Sequence, residues 1–413
     1  MAPRLMELPS FDKIVATSSR SYSYDKTYQA IEDDSAVIIH SSGTTGAPKP
    51  IYLTHGFLGT IDKQTQVPVP DGRVSAIPNQ LSHDDLFLST TPFFHLMGIF
   101  ALVMSIFNRA PFVYLPATSF PVDALVEVIK AERPTVAAIT PALVEAVGQS
   151  ASALHILSTV RTVCISGAPL ASHIGEALSK RTNLVSMLGA SELGLVLSLV
   201  PEHKADWEYL EWNPYYPIRM DSCDDDSSLH ELVIERNETR DIQGIFHVFP
   251  DLEEYRTKDL FSPHPTRHNL WRYEGRLDDT ITFHNGQKIN PIPMEKIIES
   301  HPLVSRALVI GDRRPHAALL VEPSEESNVS NGDKSAVTEF VHTIWPVVEL
   351  ANELVPPGVH IGIMRIGLSS PNKPFRTTSK GSTQRRTVLQ DYEQDIERIY
   401  QHDNYWYTMF KNG

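Results

Sequence analysis

The sequence predicts an α/β protein in which a large layered α/β domain is followed by a smaller α+β unit. Three observations carry this. Between residues 85 and 188 short apolar runs alternate with helical patterns, the mark of parallel strands joined by crossover helices. At residues 36–39 the run Ala36-Val37-Ile38-Ile39 reads as a buried strand and opens directly into a loop rich in Ser, Thr and Gly. At Gly275-Arg276-Leu277-Asp278-Asp279 the composition breaks, and a shorter mixture of strands and helices follows.

The chain has 413 residues, enough for a sizeable core and, by the soft prior of about 100–200 residues per domain, for two domains. A hydrophobic content of 41% and a net charge of -14 describe a soluble globular protein. No basic tail is present, which argues against nucleic acid or an anionic membrane surface as a partner. Two cysteines, Cys164 and Cys223, cannot build a disulfide framework and fit a reducing, cytoplasmic setting. The opening residues MAPRLMELPSFDK lack an apolar h-region, so no secretory signal is expected. The longest apolar run, residues 97–107, is too short to span a bilayer and reads as a buried helix.

Taken in order, residues 1–34 are polar and irregular and read as a loosely tied leader. Residues 55–64 read as a helix packed behind the Ser/Thr/Gly loop. Strands are expected at 85–91, 112–116, 135–140, 161–166 and 184–188. Helices are expected at 97–107, at 123–131, from Pro141, where proline suits the first helical turn, and at 171–181. Residues 201–262 change texture: aromatics and prolines cluster, and an acidic turn precedes strands at 229–235 and 244–250. This region reads as a β-rich annex. Beyond the break come strands at 280–283, 306–310 and 317–321, helices at 294–300 and 337–354, and a polar loop at 325–334. No internal repeat is found.

The loop Ser41-Ser42-Gly43-Thr44-Thr45-Gly46-Ala47-Pro48-Lys49 has the parts of a polyphosphate cradle. Gly43 and Gly46 let successive N–H groups turn toward one point. Four hydroxyls add donors, and Lys49 brings a mobile charge. The spacing differs from the common NTPase loop, which puts four residues between its glycines and Lys-Ser/Thr after the second. An ordinary polar surface loop would share the composition.

That wording closely resembles the phosphate loop of the adenylate-forming superfamily, which includes acyl- and aryl-CoA ligases, nonribosomal peptide synthetase adenylation domains and luciferases. Six further stretches match the same family in the same order. Pro92-Phe93-Phe94-His95-Leu96-Met97-Gly98 is similar to the segment lining the carboxylate pocket, which implies substrate contacts from His95 and Gly98; an aromatic core cluster capped by a histidine would also fit. No aspartate stands there to hold a substrate ammonium, which points to an aryl, alkyl or keto acid, since burying an unpaired ammonium is costly. Ile165-Ser166-Gly167-Ala168-Pro169-Leu170 looks like the turn beside the adenine, with Ala168 against the base; a plain strand–helix turn would look the same. Leu188-Gly189-Ala190-Ser191-Glu192 resembles the aromatic-Gly-x-Ser/Thr-Glu pattern. It implies Gly189 and Ser191 at the nucleotide and Glu192 on Mg2+, an ion that takes carboxylate and phosphate oxygens. Leu188 replaces the aromatic that stacks on adenine. A helix start capped by Ser191 is the structural alternative.

Tyr255-Arg256-Thr257-Lys258-Asp259-Leu260-Phe261 is similar to the segment whose aspartate accepts the ribose hydroxyls, here Asp259; Lys258 occupies a position commonly glycine. A polar turn between strands would also fit. Tyr273-Glu274-Gly275-Arg276-Leu277-Asp278-Asp279, followed by Asn285 to Pro291 and Glu295, resembles the hinge and the first loop of the small domain, with Arg276 on ribose or phosphate and Asp278 as pivot. Pro371 to Gly381 resembles the mobile lysine loop, with Lys380 swinging in to stabilise charge on the carboxylate and α-phosphate and Lys373 as a nearby competitor. The wording at 285–295 and 378–386 is most similar to fungal synthetase-like carboxylic acid reductases.

The resemblance implies a leader at 1–34 and a large AMP-binding α/β domain at 35–275, shortened on its N-terminal side relative to the family. A hinge at 276–279 and a small mobile α+β lid at 280–413 follow. It implies ATP-dependent activation of a carboxylic acid as acyl-adenylate and transfer to a thiol of CoA or a phosphopantetheine carrier. Thr44, Thr45, Lys49, Glu192 and Lys380 would carry the chemistry. The short N-terminal region leaves a second expectation open: a catalytically impaired nucleotide- or acyl-binding partner, a homo-oligomer, or a subunit awaiting a complementing one. Acyl transfer without ATP has no support, since no Ser-His-Asp or Cys-His arrangement stands out.

Overall fold

The computed structural model describes residues 10–17, 23–41, 49–76, 81–115, 122–223, 229–238, 240–327, 329, 334–377 and 383–401. Its centre is a five-stranded parallel sheet. Phe112–Tyr114, Phe87–Ser89, Val136–Ile139, Thr162–Ser166 and Asn183–Met187 lie side by side in that order. Successive side chains point to opposite faces. Phe87, Val136, Ala138, Cys164, Val185 and Met187 face one core, while Leu88, Ala137, Ile139, Val163, Ile165 and Leu184 face the other. Both faces are covered, so these strands read as continuous apolar runs. Leu88 and Val163 are fully buried, each contributing about 1.5–3 kcal/mol of transfer free energy.

Helices His55–Gln64 and Leu96–Asn108 cover the first face, and Val122–Glu132, Pro141–Gly148, Ala151–Leu157 and Ser172–Ser179 cover the second. The run at 36–39 belongs to a strand, Ser35–Ser41, paired antiparallel with Lys49–Thr54. It is not buried throughout: Ile39 and, across from it, Ile51 face the core, while Ile38 and Tyr52 are exposed. A two-stranded ribbon lying on a sheet has only one covered face, and period-2 alternation sends Ile38 outward. Ahead of it, the backbone of 32–34 hydrogen-bonds to the helix at His55: Gly56 N–H donates to Glu32 O at 2.8 Å and His55 N–H to Asp34 O at 3.1 Å. Asp33 pairs with Arg240 at 2.8 Å.

The annex is a six-stranded antiparallel sheet in the order Ser198–Leu199, Tyr209–Trp212, Leu270–Arg276, Glu254–Pro263, His230–Glu235, Ile218–Ser222. The expected strand at 244–250 is instead a short helix, Ile245–Val248. Its apolar run is too short for periodicity to separate helix from strand, and Phe246 and Ile245 are buried against the annex core.

In the C-terminal unit Val304–Ile310, Ala318–Pro323 and Ile366–Leu368 form a sheet. Ala307, Val309, Leu319 and Val321 pack toward helices Ile292–Glu299 and Lys334–Asn352. Leu308, Ile310, Ala318 and Leu320 pack toward Arg385–Asp391 and Glu393–Gln401. Among the described residues no helix is long and apolar enough to cross a membrane.

Candidate active site

Parallel strands bring the loops that follow them to one edge. Three of the sequence-identified stretches come directly after strands of the central sheet: 90–98 after Phe87–Ser89, 167–170 after Thr162–Ser166, and 188–192 after Asn183–Met187. The chain leaves Phe87–Ser89 for a neighbour on one side and then returns to pair Val136–Ile139 on the other. That reversal opens a crevice at the carboxyl ends of the strands. His95, Gly98, Ala168, Gly189, Ser191 and Glu192 therefore gather along one rim.

His95 is the residue before helix Leu96–Asn108, in extended conformation. Its ring centroid lies 4.6 Å from that of Phe94, and Phe94 is well exposed. Phe93 stacks on Tyr114 at 4.0 Å. Gly98 is buried, and a Cβ there would meet the Pro92 carbonyl oxygen at 2.2 Å, so the helix can sit on 91–92 only with glycine at this point. Ala168 is exposed on the rim, after Gly167 at φ 94°.

Residues 188–196 form a tight hairpin, not a helix start. Gly189 pairs with Leu195 and Ala190 with Gly194, and Leu193 N–H donates to Ala190 O at 3.1 Å. A Cβ on Gly189 would lie 2.6 Å from Gly194 O. The turn places Ser191 and Glu192, both half-buried, at its tip. Leu188 packs against the annex core.

The annex supplies the other half. The Tyr255 phenol is raised, by burial first and then by the Glu192 carboxylate, with Arg276 opposing and Asp259 adding. The segment at 255–261 is not a turn between strands. It lies within Glu254–Pro263 and bulges at 257–259 opposite Leu232. Thr257 Oγ1 donates to Leu232 O at 2.8 Å and accepts from Asp259 N–H at 3.0 Å. The bulge turns Asp259 inward, where it faces Arg276 on the adjacent strand with Nη1 3.4 Å from Oδ1. Burial pushes the Asp259 carboxyl up to about 6; Arg276 works against this, while Asp279 and Glu231 add to it. Tyr273 lies close by, its phenol raised by burial and by Asp259.

Asp278 lies on the linker to the C-terminal unit, with Lys258 Nζ at 3.2 Å and Arg276 Nη2 at 3.9 Å. Asp279 faces Arg385 at 3.9 Å. The Asn290 amide donates to Glu274 O, and its carbonyl accepts from Ile292 N–H at 3.1 Å. Lys296 is half-enclosed at this junction. Its burial would lower its pKa, but Glu299 and Glu145 of the large domain hold it above the usual value. Glu295 is buried, pairs with Arg385 and accepts from Val309 N–H at 2.7 Å; burial outweighs these and pushes it up to about 7.

Lys373 is committed elsewhere. Its ammonium sits 4.3 Å from the Tyr392 ring centroid and donates to Asp391 O. Lys49 is exposed at the end of its strand opposite Ser41. Ser42, Gly43, Thr44, Thr45 and Gly46 of the phosphate loop, and Lys380, lie outside the described residues, as does the side chain of Ser41. Sequence reasoning missed Tyr255 and Tyr114 as site neighbours. Tyr255 stands at the head of the 255–261 stretch, but nothing in one sequence says that the Glu192 carboxylate acts on it.

Comparison with known proteins identifies the family. Residues 6–212 match the family model described as AMP-binding enzyme, and residues 278–404 match the AMP-binding enzyme C-terminal domain. The chain is 28% identical over 402 residues to a carboxylic acid reductase of Neurospora crassa, covering 96% of this chain and 38% of that protein. It is 31% identical over 383 residues to adenylate-forming reductase Nps10 of Heterobasidion annosum, covering 89% and 33%. It thus spans about a third of the length of these relatives. The fold matches that of ATP-bound MatB from Rhodopseudomonas palustris with a TM-score of 0.66 at 16% identity, covering 93% of this chain and 73% of that one. The chain belongs to the AMP-binding, adenylate-forming enzyme family.

Proposed function

We propose that this chain activates a carboxylic acid with ATP and passes the acyl group to a thiol of CoA or of a phosphopantetheine carrier, with 35–275 as the nucleotide-binding domain, 276–279 as hinge and 280–413 as lid. The observation that carries this is the buried Asp259–Arg276 pair, held across adjacent annex strands at the start of the linker. Asp259 is buried, and its hydrogen-bond partner among the described residues is a single guanidinium. A carboxylate has acceptor capacity for more than that, which fits the two hydroxyls of a ribose.

In the first step a carboxylate oxygen bonds to the α-phosphorus, the bond to the bridging oxygen breaks, and pyrophosphate leaves. In the second a thiolate sulfur bonds to the acyl carbon and AMP leaves. Such displacements need positioning and charge neutralisation more than proton transfer. Asp259 would orient the ribose and Arg276 would face ribose or phosphate. Ser41, Ser42, Gly43, Thr44, Thr45, Gly46 and Lys49 would hold the polyphosphate. Ser191 would donate to the α-phosphate, and Gly189 and Ala168 would border the base. His95 and Gly98 would border the acid. Lys380 would neutralise developing charge. Glu192 would hold Mg2+, which supplies positive charge to the phosphates when bound. Such an ion takes phosphate oxygens and water beside a carboxylate.

The partners on this reading are a small acid, a CoA or carrier thiol and possible further subunits, in the cytoplasm. Mg·ATP–pyrophosphate exchange against aryl, alkyl, keto and amino acids tests it, with Lys380→Ala as control. Exchange with one acid class, lost in the variant, is expected. Leu188, packed into the annex core where relatives present an aromatic to adenine, favours a second reading: a nucleotide- or acyl-binding partner without catalysis. Nucleotide binding with no exchange for any acid would select it.

A further inference from the structure

The backbone at Lys258 is unusual. Its φ is 63°, the left-handed region that a long side chain enters at a cost and that glycine occupies freely. The surroundings hold it there. Its N–H donates to Glu231 Oε1 at 3.1 Å, and Glu231 is itself buried and held by Arg256 at 2.7 Å. The same bulge that turns Asp259 inward turns Lys258 outward, so that Nζ reaches both carboxylate oxygens of Asp278 at 3.2 and 3.4 Å. Asp278 is the only carboxylate in ion-pair range of Lys258 among the described residues, and its other cation is Arg276 at 3.9 Å.

We propose that Lys258 is a positioning residue that latches the linker 276–279. By holding Asp278, it keeps that carboxylate from drawing Arg276 away from Asp259, and it sets how readily the linker opens. The latch works through Asp278 and Arg276 and does not touch the reacting atoms. The consequence for nucleotide binding rests on the function proposed above; the consequence for the linker does not.

The bulge supplies a discriminating variant. Lys258→Gly removes the ammonium while relieving the backbone, so it loses the latch without losing the fold. Lys258→Met keeps the stem and removes the charge; Lys258→Arg restores a cation. Hydrogen exchange of the peptide over 277–283, where Thr280 N–H donates to Leu277 O at 3.2 Å, reads the linker directly. The expected result is exchange about two- to five-fold faster in Lys258→Met and Lys258→Gly, the range of an exposed ion pair, with native rates in Lys258→Arg. About 0.5 M NaCl should speed the native linker more than the Lys258→Met linker, because salt screens the Lys258–Asp278 pair that the variant lacks. KM for ATP should rise in Lys258→Met and Lys258→Gly, with recovery in Lys258→Arg. Unchanged linker exchange in all variants would overturn the proposal. So would faster exchange spread equally over Glu254–Pro263 and Leu270–Arg276, which would make Lys258 a structural residue of the bulge. A responsive linker in a protein that shows no pyrophosphate exchange with any acid would count against the function and leave the latch standing.

Discussion

Arg276 and Asp259 are direct cross-strand partners, with Nη1 and Oδ1 3.4 Å apart, and Arg276 is both the last residue of its strand and the first of the linker. One guanidinium therefore borders a buried carboxylate on one side and the junction between the two units on the other. Burial costs this pair on both sides: it raises Asp259 and acts against the charge on Arg276. Asp259 lies mostly out of solvent and Arg276 only partly so. For Asp259 the attraction at 3.4 Å does not offset the desolvation, whereas Arg276 is held above its ordinary value because Asp259, Tyr273, Asp278 and Asp279 together outweigh its burial.

Asp259→Asn should raise KM for ATP by ten-fold or more. Hydrogen bonds to a charged acceptor are worth about 1.5–3 kcal/mol each, and the amide can accept with only one of its two heteroatoms. Unchanged KM in steady-state pyrophosphate exchange would remove Asp259 from the nucleotide site. The fold should survive, because the amide fills the same space.

The pH dependence of the same residue has two opposite signs. Its folded pKa, about 6, lies above the unfolded value of about 3.9. Between these values the folded state binds more protons, so this group's contribution to stability is present below about pH 4 and is lost as pH rises through about 6. Its contribution to ATP binding runs the other way, since only the carboxylate accepts both hydroxyls. ATP affinity should fall as pH drops below about 6, and the fall should be absent in Asp259→Asn. Equilibrium binding of ATP at pH 5 and pH 8 checks this.

The central sheet was legible because its strands are buried on both faces and end at Pro, Gly or Ser. Runs such as Val136–Ile139 and Thr162–Ser166 admit little else. The annex was less so. Glu254–Pro263 carries charged residues on its open face and bulges at Lys258, which hides its periodicity, and Ile245–Val248 is too short to have one. The motifs named site residues before any geometry was known. What they could not convey is which residues meet: that Arg276 faces Asp259, that Lys258 reaches Asp278, and that Lys373 is spent on Tyr392.

That last contact separates the two lysines of the 371–381 loop. Lys373 anchors the loop by its ring and carbonyl contacts, so Lys373→Ala should lower the unfolding midpoint of the C-terminal unit while leaving the chemistry within a few-fold. Lys380→Ala should cut adenylation about 10²–10³-fold, the loss typical of one removed charge-stabilising donor. It should cost far less in thioester formation from a supplied acyl-adenylate. Single-turnover assays of the two half-reactions, with thermal unfolding of both variants, test this; equal loss in both half-reactions would deny Lys380 its role.

Gly98 is a case where motif and packing compete for the explanation. The resemblance assigns it to the acid pocket, yet its missing Cβ is needed by the Pro92 carbonyl, 2.2 Å from where that carbon would stand. Neither the carbonyl nor the helix Leu96–Asn108 can yield without disturbing Phe100 and Met104, which are buried in the first core. Gly98→Ala should therefore destabilise the large domain by about 1–3 kcal/mol, as overpacking does, measured by denaturant unfolding. Any rise in KM for the acid should come with that loss. If acid KM rises while stability holds, the helix has room to move, and Gly98 acts on the substrate directly through the space it leaves open.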